Sequence, residues 1–160
     1  MMHNDAFCRK EIYEQVYYET KRTMVAYDIM PSLPGHSLVI PKRHVESISE
    51  MSAPEMLDIY NVLRKVIPVL LRVYGADSYI LTAQVGKNSG MSINHLHFHL
   101  IPRSKTDKYH NNTSKLYEML KEDKSRRAYI TKNRRALRER IEKDVAMLRK
   151  EFRYRHYASR

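Results

Sequence analysis

The sequence is poor in cysteine, glycine and long apolar segments. It has one cysteine, Cys8, four glycines and no tryptophan in 160 residues. A single cysteine excludes an internal disulfide framework and is typical of a reducing compartment, so we expect a cytoplasmic protein, with the nucleus as a second location. The apolar stretch Val66–Val73 contains Pro68 and Arg72 and is far shorter than the ~20 residues of a membrane-spanning helix. Since the N-terminus also lacks the features of a signal peptide, we expect no membrane association.

Positive charge is concentrated in the last quarter of the chain. The formal net charge is +11, and residues 121–160 contain 15 Lys and Arg against 6 Asp and Glu. A basic surface attracts polyanions such as nucleotides, RNA or anionic lipid. A solvated helix face that happens to be basic has the same composition. Both interpretations stay open, and we predict at most weak nucleic-acid affinity through this region.

The most distinctive segment is His95-Leu-His-Phe-His-Leu-Ile101, in which three histidines alternate with apolar residues. On a β-strand, successive side chains point to opposite faces. His95, His97 and His99 would then share one face, at intervals of about 7 Å, while the apolar residues pack on a core. Three imidazoles in a row are suited to nucleophilic and acid–base chemistry near neutral pH, or to a zinc site.

The rest of the chain predicts four further strands, a long helix and an amphipathic C-terminal helix. Strands are expected at 14–19, 23–28, 37–40 and 78–84. The capping box Ser52-Ala-Pro-Glu55 begins a helix that ends at Gly75, with a kink or break at Pro68. Between Arg134 and Phe152, apolar residues recur every three or four positions, so we expect this helix to dock on the body or on a partner subunit.

Four segments together resemble the histidine triad family of nucleotide hydrolases and transferases. They are the alternating histidines, the opening Phe7-Cys-Arg-Lys-Glu-Ile12, the run Asp28–His44 and the loop Gln84–Ser92. The resemblance extends from residue 5 to about 121, and the segment after the triad is similar to that of the fragile histidine triad branch. It implies an α+β fold in which a long helix packs on an antiparallel sheet of about five strands. We divide the chain into a histidine triad nucleotide-binding domain, 1–125, and a basic amphipathic C-terminal helical extension of the same domain, 126–160.

The resemblance also implies roles for individual side chains. It makes His97 the nucleophile, with His99 and His36 on the phosphates and His95 orienting the site from behind. Asp28 would hold the ribose hydroxyls, because a carboxylate can accept hydrogen bonds from two adjacent hydroxyls. The candidate nucleotide-binding residues are Asp28, Phe7, Ile12, Ile29, Gln84, Ser92, Asn88 and Gly90.

A zinc site is a separate question. The family's opening often carries a second cysteine three residues before the first, and that pair can bind zinc with two histidines. Asp5 occupies this position here. Since a carboxylate can also ligate zinc, Asp5, Cys8, His44 and His95 are conceivable partners. We assign no metal ligand, and the implied chemistry requires no cofactor.

The branch that the chain resembles implies hydrolysis of diadenosine polyphosphates, such as diadenosine triphosphate to AMP and ADP. Cleavage would occur at the α-phosphate through a covalent nucleotidyl-His97. The alternatives are a purine-nucleoside phosphoramidase, a nucleotide-binding signalling module with little turnover and, because of the basic tail, a protein that processes nucleic-acid ends. The family is usually dimeric, so we expect a homodimer that binds a small-molecule nucleotide.

Overall fold

The computed structural model describes residues 5–120 and 124–158. Its strands and α-helices are β1 (Val16–Glu19), β2 (Thr23–Tyr27), β3 (Ser37–Pro41), α1 (Ala53–Tyr74), β4 (Ser78–Ala83), β5 (Phe98–Arg103), α2 (Thr113–Leu120) and α3 (Lys124–Ala158). An N-terminal 3-10 helix, Lys10–Glu14, precedes β1, and shorter 3-10 helices lie at Ile48–Glu50 and Lys87–Ser89. None of the helices in these ranges combines the length and apolar character that a membrane crossing needs.

The strands form one antiparallel sheet in the order β1-β2-β3-β5-β4. The predicted α+β fold with a five-stranded antiparallel sheet is therefore confirmed. β5 lies between β3 and β4, and its residue His99 is paired with Leu38 of β3. Directly paired residues share a face of the sheet, so His99 and Leu38 point to the same side.

The histidine segment departs from the prediction that it is one strand. β5 begins at Phe98, so of the three histidines only His99 belongs to the ladder. Before it, the N–H of His95 donates to the carbonyl of Ile93 (2.7 Å) and the N–H of Leu96 to that of Val45 (2.6 Å). These two bonds lie outside the β3–β5 register and hold the segment against the chain that leaves β3.

α1 begins and ends as the sequence predicts. Both hydrogen bonds of the capping box are present between Ser52 and Glu55, and Gly75 adopts the left-handed conformation (φ 60°) that ends the helix. Of the predicted kink or break at Pro68, the break is wrong, because α1 is continuous from Ala53 to Tyr74, and the kink stays a prediction. Val66 and Val69 on either side of Pro68 are fully buried, so packing holds the helix together. Proline has no N–H to donate to the carbonyl four residues earlier, but Pro68 is exposed, so water can hydrate that carbonyl.

A large apolar cluster covers one face of the sheet and a smaller one covers the other, which we call the thin side. On the first face, α1 and α3 pack on the sheet through a cluster that consists of Tyr17, Val25, Tyr27, Val39, Ile59, Val62, Val66, Leu70, Leu100, Ile141, Val145 and Leu148. On the second face, a smaller cluster consists of Phe7, Ile12, Val16, Met24, Ala26, Leu38 and Ile40. Since Leu38 belongs to this second cluster and shares a face with His99, the histidines lie on the thin side.

α3 extends further than its amphipathic pattern. The helix is interrupted at Asn133 (φ −113°, ψ 16°), whose side-chain amide donates to the carbonyl of Tyr129 (2.9 Å). The predicted stripe follows this point and docks on the sheet, where Leu137, Ile141, Val145 and Leu148 are buried. The helix starts at Lys124, two residues before the predicted extension 126–160, and residues 121–123 lie outside the described residues.

Candidate active site

Four buried histidines meet on the thin side of the sheet. His36 lies immediately before β3, His95 and His97 lie before β5, and His99 lies in β5. The ring centroids of His97 and His99 are 5.0 Å apart, and those of His36 and His99 are 5.2 Å apart. The structure thus brings together the four histidines that the resemblance assigns to catalysis, although their catalytic roles stay predictions.

A backbone carbonyl fixes the protonation pattern of His97. Its Nδ1 lies 2.8 Å from the carbonyl oxygen of His95. A carbonyl can only accept, so Nδ1 carries the proton and the lone pair of the neutral ring is on Nε2. This is the pattern that a nucleophilic imidazole needs.

His99 has the opposite protonation pattern from His97, and its hydrogen bond with His36 determines it. The backbone N–H of Ser32 donates to His36 Nδ1 (3.1 Å), which places the proton of the neutral ring on Nε2. His36 Nε2 lies 3.0 Å from His99 Nδ1 and therefore donates to it. His99 is then left with its own proton on Nε2, as a donor that suits a phosphoryl oxygen. His97 and His99 consequently offer a lone pair and an N–H side by side.

Asp28 stands at the end of β2 and is buried. Its Oδ1 accepts from the N–H of Met30 (2.7 Å), and its Oδ2 lies 3.5 Å from His36 Nε2. The carboxylate therefore starts the turn after β2 and lies next to the histidine chain. The ribose contact that the resemblance implies stays a prediction.

Two apolar candidates, Phe7 and Ile12, lie on the same side of the sheet as the histidines, and we call them the apolar wall. The ring of Phe7 lies edge-on to His97, with 5.1 Å between the centroids, and 5.7 Å from His95. Phe7 and Ile12 are both buried on the thin side, whereas Ile29 is partly exposed next to Asp28. Such a surface suits the flat apolar face of a nucleobase.

The remaining candidates lie on the loop between β4 and the histidine segment. Gly86 (φ 81°) and Gly90 (φ 88°) have left-handed backbone conformations around the 3-10 helix Lys87–Ser89. Asn88 is exposed, and Gln84, Gly90 and Ser92 are partly exposed. Met91 stands where the family commonly has Gln, and its sulfur accepts from the N–H of Gly86 (3.3 Å). This loop presents backbone and polar groups to solvent, as a phosphate-binding loop requires.

A second cluster lies behind His95. The Nε2 of His95 donates to the carbonyl of Pro41 (2.8 Å), so its Nδ1 carries the lone pair. This Nδ1 lies 3.7 Å from Cys8 Sγ and 3.4 Å from Asp5 Oδ2. His44 Nδ1 lies 2.9 Å from Asp5 Oδ2 and 3.9 Å from Cys8 Sγ.

Hydrogen bonding and burial shift the pKa values of the two acids in this cluster. Burial alone would raise the pKa of Asp5, but hydrogen bonds from Cys8, the N–H of Phe7 and His44 lower it to about 2. Burial raises the pKa of the Cys8 thiol to about 11, with help from its hydrogen bond to Asp5 and from the Asp5 charge. Without a metal, Cys8 is therefore a thiol that donates to a carboxylate.

The same four side chains fit a zinc ion. Their ligand atoms lie within 4.8 Å of one another. Tetrahedral zinc with bonds of about 2.0–2.3 Å separates its ligand atoms by about 3.3–3.8 Å. The distances from His95 Nδ1 to Asp5 (3.4 Å) and to Cys8 (3.7 Å) lie in this range, the distance from His44 to Cys8 (3.9 Å) is just above it, and the distance from His44 to Asp5 (2.9 Å) is shorter. The carbonyl of Pro41 already orients the His95 ring by accepting from Nε2, which leaves Nδ1 for the metal. Zinc there would tie the N-terminal segment to the histidine segment and would not contact His97.

No residue pattern indicated the groups that set these tautomers. They are the N–H of Ser32 and the carbonyls of His95 and Pro41, all of them backbone atoms. A backbone donor or acceptor is present at almost every position, so no residue type announces it.

Comparisons with known proteins identify the family. A HIT domain is recognised at residues 9–106. The chain is 34% identical over 131 residues to the asymmetrical bis(5'-nucleosyl)-tetraphosphatase of Schizosaccharomyces pombe, covering 81% of this chain and 71% of that one. It is 29% identical over 115 residues to the bis(5'-adenosyl)-triphosphatase of Dictyostelium discoideum, covering 72% and 76%.

A solved structure agrees. The Hit-like protein involved in cell-cycle regulation from Bartonella henselae matches with a TM-score of 0.61 at 27% identity, over 73% of this chain and 91% of that one. The sequence match spans more than half of the chain, and the structural match has the same fold. The resemblance seen in the sequence is therefore confirmed, and the chain belongs to the HIT domain family.

Proposed function

We propose that this chain hydrolyses dinucleoside polyphosphates at the α-phosphate, giving AMP and ADP from diadenosine triphosphate. The observations that carry the proposal are two contacts: His97 Nδ1 lies 2.8 Å from the carbonyl of His95, and His36 Nε2 lies 3.0 Å from His99 Nδ1. They assign a lone pair to His97 Nε2 and a proton to His99 Nε2. The names of the relatives from S. pombe and D. discoideum support the class of substrate.

His97 would supply the nucleophile. Its Nε2 attacks the α-phosphorus, the bond to the bridging oxygen breaks and ADP leaves with the electron pair. The proton stays on His97 Nδ1, where it donates to the carbonyl of His95, and this hydrogen bond stabilises the positive charge that develops on the ring. His99 donates from Nε2 to a phosphoryl oxygen. Water then attacks the phosphorus of nucleotidyl-His97, the P–N bond breaks, and AMP and a proton are released.

The nucleotide would lie across the thin side of the sheet. Phe7 and Ile12 provide the apolar wall for the base, and Asp28 accepts from the ribose hydroxyls. The loop with Gln84, Asn88, Gly90 and Ser92 faces the phosphate chain. Alanine at any of these side chains should raise KM more than it lowers kcat, because the groups bind without taking part in bond making.

The test is incubation with diadenosine triphosphate, with products separated by chromatography. Wild-type protein should release AMP and ADP, and His97→Ala should lose at least about a thousandfold in rate. His110→Ala is the matched control, since His110 is exposed and outside the site. Absence of products with nucleotide binding retained would reject the hydrolase. Adenosine 5'-phosphoramidate would then separate a phosphoramidase from a binding module.

We also propose that the chain is a homodimer. Large apolar side chains are exposed on α1 and on β4, which is an edge strand of the sheet; they are Met56, Leu57, Tyr60, Tyr79 and Leu81. Exposed edges and apolar side chains are typical of an interface. Light scattering should give twice 19.1 kDa for the wild type and for the control Tyr129→Asp on α3. Leu57→Asp combined with Leu81→Asp should give the monomer, and a monomeric wild type would reject the dimer.

We expect nucleic-acid affinity to be weak. On α3, Arg138 and Arg149 donate to backbone carbonyls, and Arg135 pairs with Glu139. These contacts occupy part of the basic surface. Binding to a short RNA should disappear between about 50 and about 200 mM salt, as charge-driven binding does. Tight binding that persists at the higher concentration would favour a nucleic-acid substrate instead.

A further inference from the structure

Two arginines of α3 hold the N-terminal 3-10 helix. Arg149 donates from Nε to the carbonyl of Val16 (2.9 Å) and from Nη2 to that of Tyr13 (2.7 Å). Arg138 donates from Nη2 to the carbonyl of Glu11 (3.0 Å), and its Nη1 lies 2.7 Å from Glu14 Oε2. We call Arg138 and Arg149 the arginine clamp. They are eleven residues apart, about three helical turns, so they lie on the same side of α3.

Arg149 of the clamp supplies donors to two carbonyls, those of Tyr13 and Val16, that secondary structure leaves without them. The last carbonyls of a helix have no partner within it, and β1 is an edge strand with one neighbour only. A planar guanidinium can donate to two acceptors at once, as Arg149 does with Tyr13 and Val16. The 3-10 helix is five residues long and has no side-chain N-cap bond, so it has little stability of its own.

This 3-10 helix carries part of the apolar wall. Ile12 is 3% exposed, and Phe7, which lies just before the helix, is 6% exposed. Both belong to the cluster on the thin side of the sheet, and the ring of Phe7 contacts His97. The position of the wall relative to the nucleophile therefore depends on how firmly the 3-10 helix is held.

We infer that Arg138 and Arg149 are positioning residues that hold the nucleobase wall against the histidines, so that α3 sets nucleotide affinity. The inference rests on the proposed function. α3 lies outside the region recognised as the HIT domain, which ends at residue 106. The clamp acts on the backbone that carries Phe7 and Ile12 and leaves the histidines untouched. It should therefore affect binding of the nucleotide and not the chemical step.

The test compares Arg138→Ala/Arg149→Ala with wild type, with Arg149→Lys and with the control Arg135→Ala. Arg135 is on α3 too, but its side chain is 94% exposed and pairs within the helix. In the double variant, KM for diadenosine triphosphate should rise about tenfold while kcat stays within about twofold, the pattern of lost binding. The KM of Arg149→Lys should lie between those of the wild type and the double variant, because a lysine ammonium cannot donate to both carbonyls as the planar guanidinium does. Should the double variant fail to fold, Arg138→Ala alone gives the same comparison.

Hydrogen exchange of the amides in Phe7–Val16, followed by mass spectrometry, is the second measurement. It should accelerate about tenfold in the double variant and not in Arg135→Ala, while exchange in α1 stays the same. Unchanged exchange in Phe7–Val16 would overturn the inference, and so would faster exchange with unchanged KM. If the wild type releases no product, this result rejects the proposed hydrolysis but does not test the arginine clamp. The affinity for AMP then replaces KM, and a wild type that does not bind AMP overturns the inference as well.

Discussion

His36 Nε2 lies 3.0 Å from His99 Nδ1, in a pair of rings buried beneath the phosphate side of the site. His36 is in turn oriented by the N–H of Ser32. A backbone amide in a turn thus determines, through one intervening ring, which nitrogen of His99 carries a proton. The tautomer of His99 depends on this chain of two hydrogen bonds.

Two substitutions of His36 should distinguish the effect of its volume on kcat from the effect of its hydrogen bond to His99. His36→Leu fills the space but cannot donate to His99, so we expect kcat to fall about tenfold to a hundredfold, less than the loss for removing a phosphate donor outright. His36→Gln carries an amide that can donate to His99 Nδ1, so it should retain more activity than His36→Leu. Steady-state kinetics on diadenosine triphosphate checks both variants. Equal kcat values for Leu and Gln would contradict this role of His36.

The Cys8 thiol should react slowly with alkylating agents in spite of its exposure. Only the thiolate reacts, and a pKa of about 11 keeps the thiol protonated at neutral pH. Asp5→Asn removes the carboxylate that contributes to this shift, so alkylation by iodoacetamide at pH 8, with a chelator present, should accelerate several-fold. The rate is followed by mass spectrometry, with denatured protein as the reference for an unshifted thiol. No change in Asp5→Asn would leave burial as the whole cause.

Zinc should stabilise the protein through the cluster of Asp5, Cys8, His44 and His95. A ligand that binds only the folded state raises its stability, so added zinc should raise the unfolding temperature of the wild type and a chelator should reverse it. Cys8→Ser and His44→Ala each remove one ligand and should lose most of this increase. Bound zinc is measured on the dialysed protein by atomic absorption. An equal increase in Cys8→Ser would place the metal elsewhere.

Glu55 should make stability depend on acid pH. Hydrogen bonds from Arg43 and Ser52 hold the pKa of Glu55 at about 2, compared with 4.5 for an unperturbed carboxyl. Between these values the unfolded chain binds more protons than the folded one, so the stabilisation present above pH 4.5 is lost as the pH falls towards 2. The unfolding temperature of the wild type should therefore drop more steeply over this range than that of Glu55→Gln. Parallel curves for the two proteins would contradict this assignment.

Patterns of side chains predicted most of the fold. Segments rich in Val, Ile and Tyr located the first strands, and the capping box with Gly75 located both ends of α1. The prediction failed at Pro68, where a local rule was overridden by the buried residues on either side. It also failed at the start of β5, because the N–H of Leu96 bonds to the carbonyl of Val45 from another part of the chain.

The candidate site shows the same division. The alternating spacing of His95, His97 and His99 predicted that they lie together, and the family resemblance added His36. Their tautomers could not be predicted, since backbone atoms far apart in sequence determine them. The arginine clamp was hidden for a related reason. Arg138 and Arg149 are two among many basic residues of the tail, and only the fold shows which of them meet carbonyls of the N-terminal segment.

His95 takes part in two structures at once. Its backbone carbonyl holds the proton of His97, while its ring connects Pro41 to the cluster of Asp5 and Cys8. Any event that moves this ring, such as metal capture or oxidation of the thiol, acts on the same residue that orients His97. The proposed nucleophile is thus held by a residue that also belongs to the thiol–carboxylate cluster. Loss of activity after damage at Cys8 need not involve any atom that touches the nucleotide.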